Sequence, residues 1–351
     1  MKILIIGGTN FIGPEVVHRL HAMAHEVTVF HRGKTVAELP IGVKEIKGDR
    51  TQLPEIKSEL QHLSPDVVLD MFAYTEQDAL TIMQSFKGIA QRVVAISSMD
   101  VYRAYNVLLG KESEIVPVPL TEDSPLRQQL YPFKDMPQRA LNAPADYDKI
   151  LVERVVMSDT DLPGTVIRLP MVYGLKDPLH RLFPYLKRMD ENRPAILLPE
   201  NFAQWRGCYG YVENVAHAIA LAVTNPQATG RIYHVADLQV SEIERLSYFG
   251  KAAGWQGEVI SVPKHYLPAD WNLPFNTEQD WLVDTTRIRQ ELGYSEVVSQ
   301  EEALTQTIDW ERSNPPLEMP QWTGLELFDY ATEDEILTRL VQHKSDSNRA
   351  E

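Results

Sequence analysis

Short apolar strands alternating with helical patterns, a glycine-rich turn straight after the first strand, and polar residues at successive strand ends predict an α/β protein. The expected architecture is a doubly wound parallel sheet with a smaller C-terminal lobe. Residues 3–6 are an unbroken run of mostly branched apolar residues, as suits a strand buried on both faces. After the glycines, Phe11, Ile12, Val16, Val17 and Leu20 recur at three- and four-residue spacings and predict a helix. Pro14 fits its first turn, where a missing N–H costs little. Residues 25–30, 43–46, 65–72 and 92–97 read as strands two to five, with a helix over 77–86, and residues 165–169 as the sixth strand.

The segment 103–144 is long, rich in proline and weakly periodic, and reads as a lid or an insertion. An amphipathic helix over 180–189, a strand at 232–235 and a helix capped by Ser241 follow. Residues 264–280 read as loop. A short helix over 335–340 precedes a polar tail, 343–351, whose composition predicts disorder. The expected division is 1–170 for the sheet domain, 171–332 for an interleaved substrate-binding lobe, and 333–351 for the tail.

The 351 residues suffice for a large core, and the net charge of −15 opposes general affinity for nucleic acid or anionic lipid. One cysteine, Cys208, excludes internal disulfides and suits a reducing, cytoplasmic setting. No apolar run reaches membrane-spanning length, so no membrane partner is expected. His18, His21 and His25 fall near one helix end, but no carboxylate or cysteine beside them completes a ligand set, and no metal is expected.

A strand, a glycine turn and a helix bring backbone N–H groups and a positive helix end to a pyrophosphate. Gly7 and Gly13 hold the outer positions of a G-x-x-G-x-x-G spacing, and Thr9, Phe11 and Ile12 complete the turn. The middle position is Asn10, which tolerates left-handed backbone but can crowd a close phosphate. The second strand ends in His31, Arg32 and Lys34 where a carboxylate would meet the 2′-hydroxyl of NAD. Guanidinium and ammonium groups suit a 2′-phosphate, so NADP is favoured over NAD. Asp49, followed by Arg50, either accepts from an adenine amino group or caps the next turn. Met71, Phe72, Ala73, Ser97 and Ser98 sit at strand carboxyl ends and are expected to face the cofactor.

The glycine turn, Gly48-Asp49, Ser97-Ser-Met-Asp-Val-Tyr102 and Lys149-Ile-Leu-Val-Glu153 together resemble the extended short-chain dehydrogenases/reductases, the epimerase/dehydratase superfamily with its Rossmann-type sheet. Arg168-Leu-Pro-Met-Val-Tyr-Gly174, Gly210-Tyr-Val-Glu-Asn-Val-Ala216 and the segment from Asp284 to Gly293 continue the resemblance in order, to Trp310. It implies that Ser98 orients a substrate oxygen. It also implies that Lys149, supported by Glu153 one turn on, holds the nicotinamide ribose, and that Pro170, Met171 and Val172 face the nicotinamide. A homodimer through helices flanking the sheet is the implied assembly.

The family's acid/base tyrosine should stand at position 145, which is Ala145. Tyr147 lies two residues before Lys149, and on a regular helix such residues point to nearly opposite sides. Only a helix beginning after Pro144 with an irregular first turn brings Tyr147 inward. Asp100 matches a position where dehydratase relatives carry an acid, and Tyr102 and Tyr131 are further candidates. Arg206 lies one residue from the place of an arginine that clamps substrate diphosphate in nucleotide-sugar enzymes; the alternative is a surface salt bridge.

Two functions follow. One is an NAD(P)-dependent epimerase, dehydratase or reductase acting on a small polar substrate such as a nucleotide sugar, with Ser98, Asp100, Tyr147 and Lys149 as its catalytic set. The other is a cofactor-sensing or RNA-binding relative without the usual tyrosine, the RNA version of which the negative charge opposes.

Overall fold

The computed structural model describes residues 1–134, 143–268, 271, 273, 275–318 and 329–350. In chain order the first six strands are β1 (Lys2–Ile6), β2 (Glu26–His31), β3 (Lys44–Lys47), β4 (Val67–Asp70), β5 (Arg92–Ser98) and β6 (Gly164–Leu169). They are followed by β7 (Met171–Tyr173), β8 (Ala195–Pro199), β9 (Arg206–Tyr211), β10 (Ile232–His234), β11 (Leu238–Ser241) and β12 (Glu258–Val262). The helices that matter most to the site are α1 (Ile12–Ala22), α2 (Lys57–Leu63), α3 (Glu76–Phe86), α4 (Arg103–Leu108) and α5 (Lys149–Val156).

Seven parallel strands form the main sheet in the order β10-β6-β5-β4-β1-β2-β3. The chain winds outward from β1 to β3, then returns to lay β4 on the other side of β1. That reversal opens a crevice above the carboxyl ends of β1 and β4, where doubly wound sheets bind ligands. The expected fold class is the one observed.

Alternation along β1 explains the two layers of helices. Ile3 and Ile5 join Val16, Val17 and Leu20 of α1 in one apolar cluster. Leu4 and Ile6 join Leu60 of α2, Ile82 and Phe86 of α3, and Val152 and Val156 of α5 on the other face. Successive strand side chains point to opposite faces, so a run apolar at every position serves two cores. Each fully buried Leu or Ile contributes about 1.5–3 kcal/mol.

Beside the main sheet lie a three-stranded sheet, β11-β9-β7, and a parallel pair, β12-β8. Four expectations change here. The fourth strand ends at Asp70, because residues 71–73 turn away over Gly7. The loop after residue 102 contains α4, although residues 135–142 lie outside the described residues. The helix expected from 180 starts at Phe183, since His180 adopts a left-handed backbone (φ 46°). The short C-terminal helix is part of a longer one, Tyr330–Ala350, that runs through the segment expected to be disordered. Its Ile336, Leu337 and Leu340 pack on Ile260, Tyr266 and Leu267. No described helix is long and apolar enough to cross a membrane.

Candidate active site

The glycine turn is built for close approach. Gly7 and Gly8 both have positive φ, 94° and 89°, a conformation that favours glycine. A Cβ on Gly13 would lie 2.5 Å from the Gly8 backbone, so that glycine lets α1 dock on the turn. Phe11 precedes α1 at φ 47°, and no side chain among the described residues caps the helix. Asn10 is exposed, and its carbonyl accepts the Gly13 N–H at 2.9 Å. Thr9 and Ile12 are partly exposed beside it, and Thr9 meets Thr35 of the next strand's loop, Oγ1 to Oγ1, at 2.6 Å. This turn fits a dinucleotide pyrophosphate: small residues, a helix start without a side-chain cap and the switch-point crevice coincide.

At the end of β2, Arg32 and Lys34 are exposed. His31 behaves differently. Its ring is buried and its Nε2 lies 2.8 Å from Glu45 on β3, so it is drawn away from a ribose. Asp49 takes the capping role: it accepts from the Thr51 N–H at 3.0 Å and hydroxyl at 2.8 Å, bonds that hold its carboxyl below the usual range. Arg50 is committed as well. It bonds Asp70 at 2.5 Å and the Phe72 carbonyl at 2.6 Å, with Asp78 at 3.2 Å. It therefore pins the Asp70–Ala73 loop rather than facing ligand directly. In that loop Met71 is half-buried, Phe72 exposed and Ala73 buried.

Ser97 and Ser98 diverge at the end of β5. Ser97 is buried and gives its hydroxyl to Glu153 at 2.6 Å. Glu153 in turn holds Arg168 at 2.7 and 2.9 Å, so it does not support Lys149 as expected. Arg168 also donates to the Tyr102 hydroxyl at 2.5 Å and the Glu122 carbonyl at 2.8 Å. Tyr102 belongs to this buried network, where it also meets His234. Ser98 stays partly exposed and caps the turn that follows, accepting the Asp100 N–H at 3.2 Å.

The decisive local feature is where α5 begins. Asp148, fully buried, is the N-cap: it accepts the Ile150 N–H at 2.9 Å and pairs with the equally buried Arg127 at 2.7 Å. Tyr147 thus stands before the cap, outside the helix, and the regular-helix argument that separates it from Lys149 does not apply. Tyr147 donates its hydroxyl to Asp100 Oδ2 at 2.7 Å, while Lys149 Nζ lies 6.0 Å from the Tyr147 ring centre. Lys149 donates to the carbonyls of Ala73 at 2.5 Å and Ile96 at 2.8 Å. Tyr131 contributes its backbone, its N–H reaching Asp148 at 2.6 Å. Ala145 is exposed.

Burial sets the chemistry of this cluster. Desolvation pushes the Lys149 ammonium down to about 8 and the Asp100 carboxyl up. Tyr147 rises well above its ordinary range, first through burial and then through Asp100. Asp100 Oδ1 is buried without a hydrogen-bond partner among the described residues. A carboxyl that burial shifts toward its acid form, a tyrosine bonded to it and a lysine whose ammonium is shifted toward release form a unit that can deliver a proton.

Two contributors went unread in the sequence. Tyr74, one residue past the expected loop, lies with its ring centre 5.0 Å from Lys149 Nζ and 5.5 Å from the Tyr147 ring. Its place just beyond a strand's carboxyl end was the available signal. Arg127 lies in the proline-rich segment, where nothing in the pattern sets it apart; it also donates to the Asp100 carbonyl at 2.9 Å. Elsewhere, Pro170 packs where a Gly210 Cβ would lie, Met171 is half-buried, and the Val172 carbonyl accepts from Arg181 at 2.8 Å. Arg206 is half-exposed and bonds Asp280 at 2.5 and 2.9 Å, the surface salt bridge rather than an open clamp.

The sequence profile of the NAD dependent epimerase/dehydratase family matches residues 3–236, which carry the sheet, the glycine turn and the Asp100–Tyr147–Lys149 cluster. The chain belongs to that family. It is 26% identical over 298 residues to the 2′-dehydrokanamycin reductase of Streptomyces kanamyceticus, covering 82% of this chain and 75% of that protein. It is 24% identical over 359 residues to the chloroplast stem-loop binding protein of 41 kDa b of Arabidopsis thaliana, covering 96% and 84%. The UDP-glucose 4-epimerase of Thermus thermophilus, solved in complex with NAD, superposes with a TM-score of 0.62 at 21% identity, over 90% of this chain and all of that one (100%). Members of this family depend on NAD-type cofactors, and the glycine turn described above fits one.

Proposed function

We propose that this protein is an NADP(H)-dependent enzyme that exchanges hydride at a secondary alcohol or ketone of a small polyhydroxylated substrate. The bound dinucleotide supplies or accepts the hydride. The observation that carries the reading is the convergence of Ser98, Asp100, Tyr147 and Lys149 at the carboxyl ends of β5 and α5's start. Ser98 orients the substrate oxygen. Tyr147 turns its proton from Asp100 to that oxygen, and the acid form of Asp100 then becomes the donor across their 2.7 Å contact and restores the phenol. Lys149, anchored on Ala73 and Ile96 carbonyls, holds a ribose hydroxyl with its remaining proton. Arg127 and Asp148 keep Tyr147 outside the helix. Arg32 and Lys34 favour NADP over NAD. The likeness to a reductase named for 2′-dehydrokanamycin and to UDP-glucose 4-epimerases supports a sugar ring as substrate, free or nucleotide-activated.

The test is NADPH oxidation by the intact protein across a panel of keto-sugars, amino sugars and nucleotide-keto-sugars. The expected result is consumption with at least one class, lost in Tyr147→Phe; no consumption with any class, despite bound cofactor, refutes an enzymatic role. A second reading, RNA binding, is favoured by the likeness to the stem-loop binding protein over nearly the whole chain. It predicts salt-sensitive retention of structured RNA, against which the charge of −15 argues.

A further inference from the structure

The carboxyl ends of β2 and β3 carry a third cation that the β2 sequence alone does not reveal. The strands pair in parallel with His31 opposite Lys47, and the Gly48 N–H reaches back to the His31 carbonyl at 3.0 Å. Residues 31, 45 and 47 therefore share one face of this strand pair. On that face His31 leans to Glu45 (2.8 Å) and steadies the turn by accepting the Gly33 N–H at 3.2 Å. Gly33 has φ 71° and no side chain, and Lys47 uses the room. The Lys47 Cδ, Cε and Cγ atoms lie 3.6, 3.7 and 4.0 Å from the point where a Gly33 Cβ would stand. The lysine stem thus lies across the Arg32–Gly33–Lys34 turn and carries its ammonium to it.

Arg32, Lys34 and Lys47 are all exposed, and none makes an ion pair with a described residue. Lys44, two residues earlier on β3, is by contrast paired with Glu26 at 2.6 Å. Asp49 feels the Arg32 charge but spends its carboxylate on Thr51, and Glu45, on the same face as Lys47, lies against His31. The Thr9–Thr35 contact fixes this turn relative to the glycine turn.

We propose that Lys47 is the third arm of a phosphate-monoester site with Arg32 and Lys34, and that it selects the 2′-phosphate of NADP. The assignment rests on the NADP reading above and adds to it a specificity-determining residue from a different strand. Three cations around one dianion give charge-assisted contacts that a 2′-hydroxyl cannot return. His31, which stands in the β2 sequence where that arm was expected, serves as the brace of the turn.

The experiment is calorimetric titration of the full chain with NADPH and NADH, for the wild type, Lys47→Met and Lys44→Met. Methionine keeps an unbranched stem over Gly33 and removes the charge. The expected result is about tenfold weaker NADPH binding in Lys47→Met, with NADH and the Lys44→Met control changed less than about twofold. Competition against NADPH distinguishes the source of the phosphate: 2′-AMP should displace it in a Lys47-dependent way and inorganic phosphate should not. Unchanged NADPH binding in Lys47→Met, beside a wild type that prefers NADPH, overturns the role of Lys47 and leaves the NADP reading standing. A wild type without preference for NADPH overturns both. Equal, Lys47-dependent competition by inorganic phosphate shows a general anion site and overturns the assignment to NADP.

Discussion

Two buried polar clusters meet at the end of β5, and they are finished differently. Around Arg168 the contacts are closed: Glu153 takes two of its hydrogen bonds, Tyr102 and the Glu122 carbonyl take others, and Ser97 completes Glu153. Around Asp100 they are open: one carboxyl oxygen holds Tyr147, the other has no partner among the described residues, and burial shifts the group toward its acid form. Adjacent serines divide the two, Ser97 serving the closed cluster and Ser98 the open one. A satisfied buried ion pair fixes structure, whereas an unsatisfied buried acid beside a displaced tyrosine keeps a proton available for work.

The contrast can be broken first at Glu153. Removing one partner of a buried pair leaves the other charge uncompensated, so Glu153→Gln should cost about 3–5 kcal/mol in denaturant unfolding. A loss below about 1 kcal/mol would mean that the Arg168 cluster is not the structural one.

Next in size is the pH dependence of Lys149. Between about 8 and the ordinary value of 10.5 the folded chain has released this proton while the unfolded chain keeps it. Stability from this group therefore rises with pH across that window, and the penalty is fullest below it. The wild type should gain about 3 kcal/mol on Lys149→Met as pH rises through the window. Thermal melts in parallel at the two ends check it, and parallel curves would place the ammonium in a more hydrated setting.

Tyr147→Phe should cost only about 1–2 kcal/mol of stability, the worth of one buried hydrogen bond, while turnover falls far more. A stability loss as large as that of Glu153→Gln would move Tyr147 into the structural class. The smallest effect belongs to Arg206→Ala. Its pair with Asp280 leaves the arginine half-exposed, so unfolding should change by less than about 1 kcal/mol. Loss of substrate affinity in this variant would show that Arg206 leaves Asp280 to take up a ligand.

The sheet was legible because a parallel sheet writes itself as unbroken apolar runs, and Ile3–Ile6 is one. The glycine turn was legible because Gly7 and Gly13 do backbone work that other residues cannot. What the pattern could not show was commitment between distant residues. His31 stands in the sequence beside Arg32 and Lys34, and nothing in the local pattern shows that it lies against Glu45 or that Arg50 is held by Asp70 and Asp78. Tyr147 is out of place on a continuous helix and falls into place only where the helix starts after it. Asp148, an N-cap residue in plain view, marks the helix start that resolves this, and the buried Arg127 holding it lies in a segment without periodicity. Lys47 depends on strand register, which local spacing does not supply.

The most direct test of the open cluster pairs two readings on one preparation: unfolding free energy, and NADPH oxidation with the best substrate of the panel, for the wild type and Asp100→Asn. Asparagine keeps the acceptor that Tyr147 needs and removes the titrating proton. The expected result is stability within about 1 kcal/mol of wild type and turnover lower by about 10²–10⁴. Turnover retained, or stability lost to the extent expected of Glu153→Gln, would contradict the assignment of Asp100 as the proton reserve of the site.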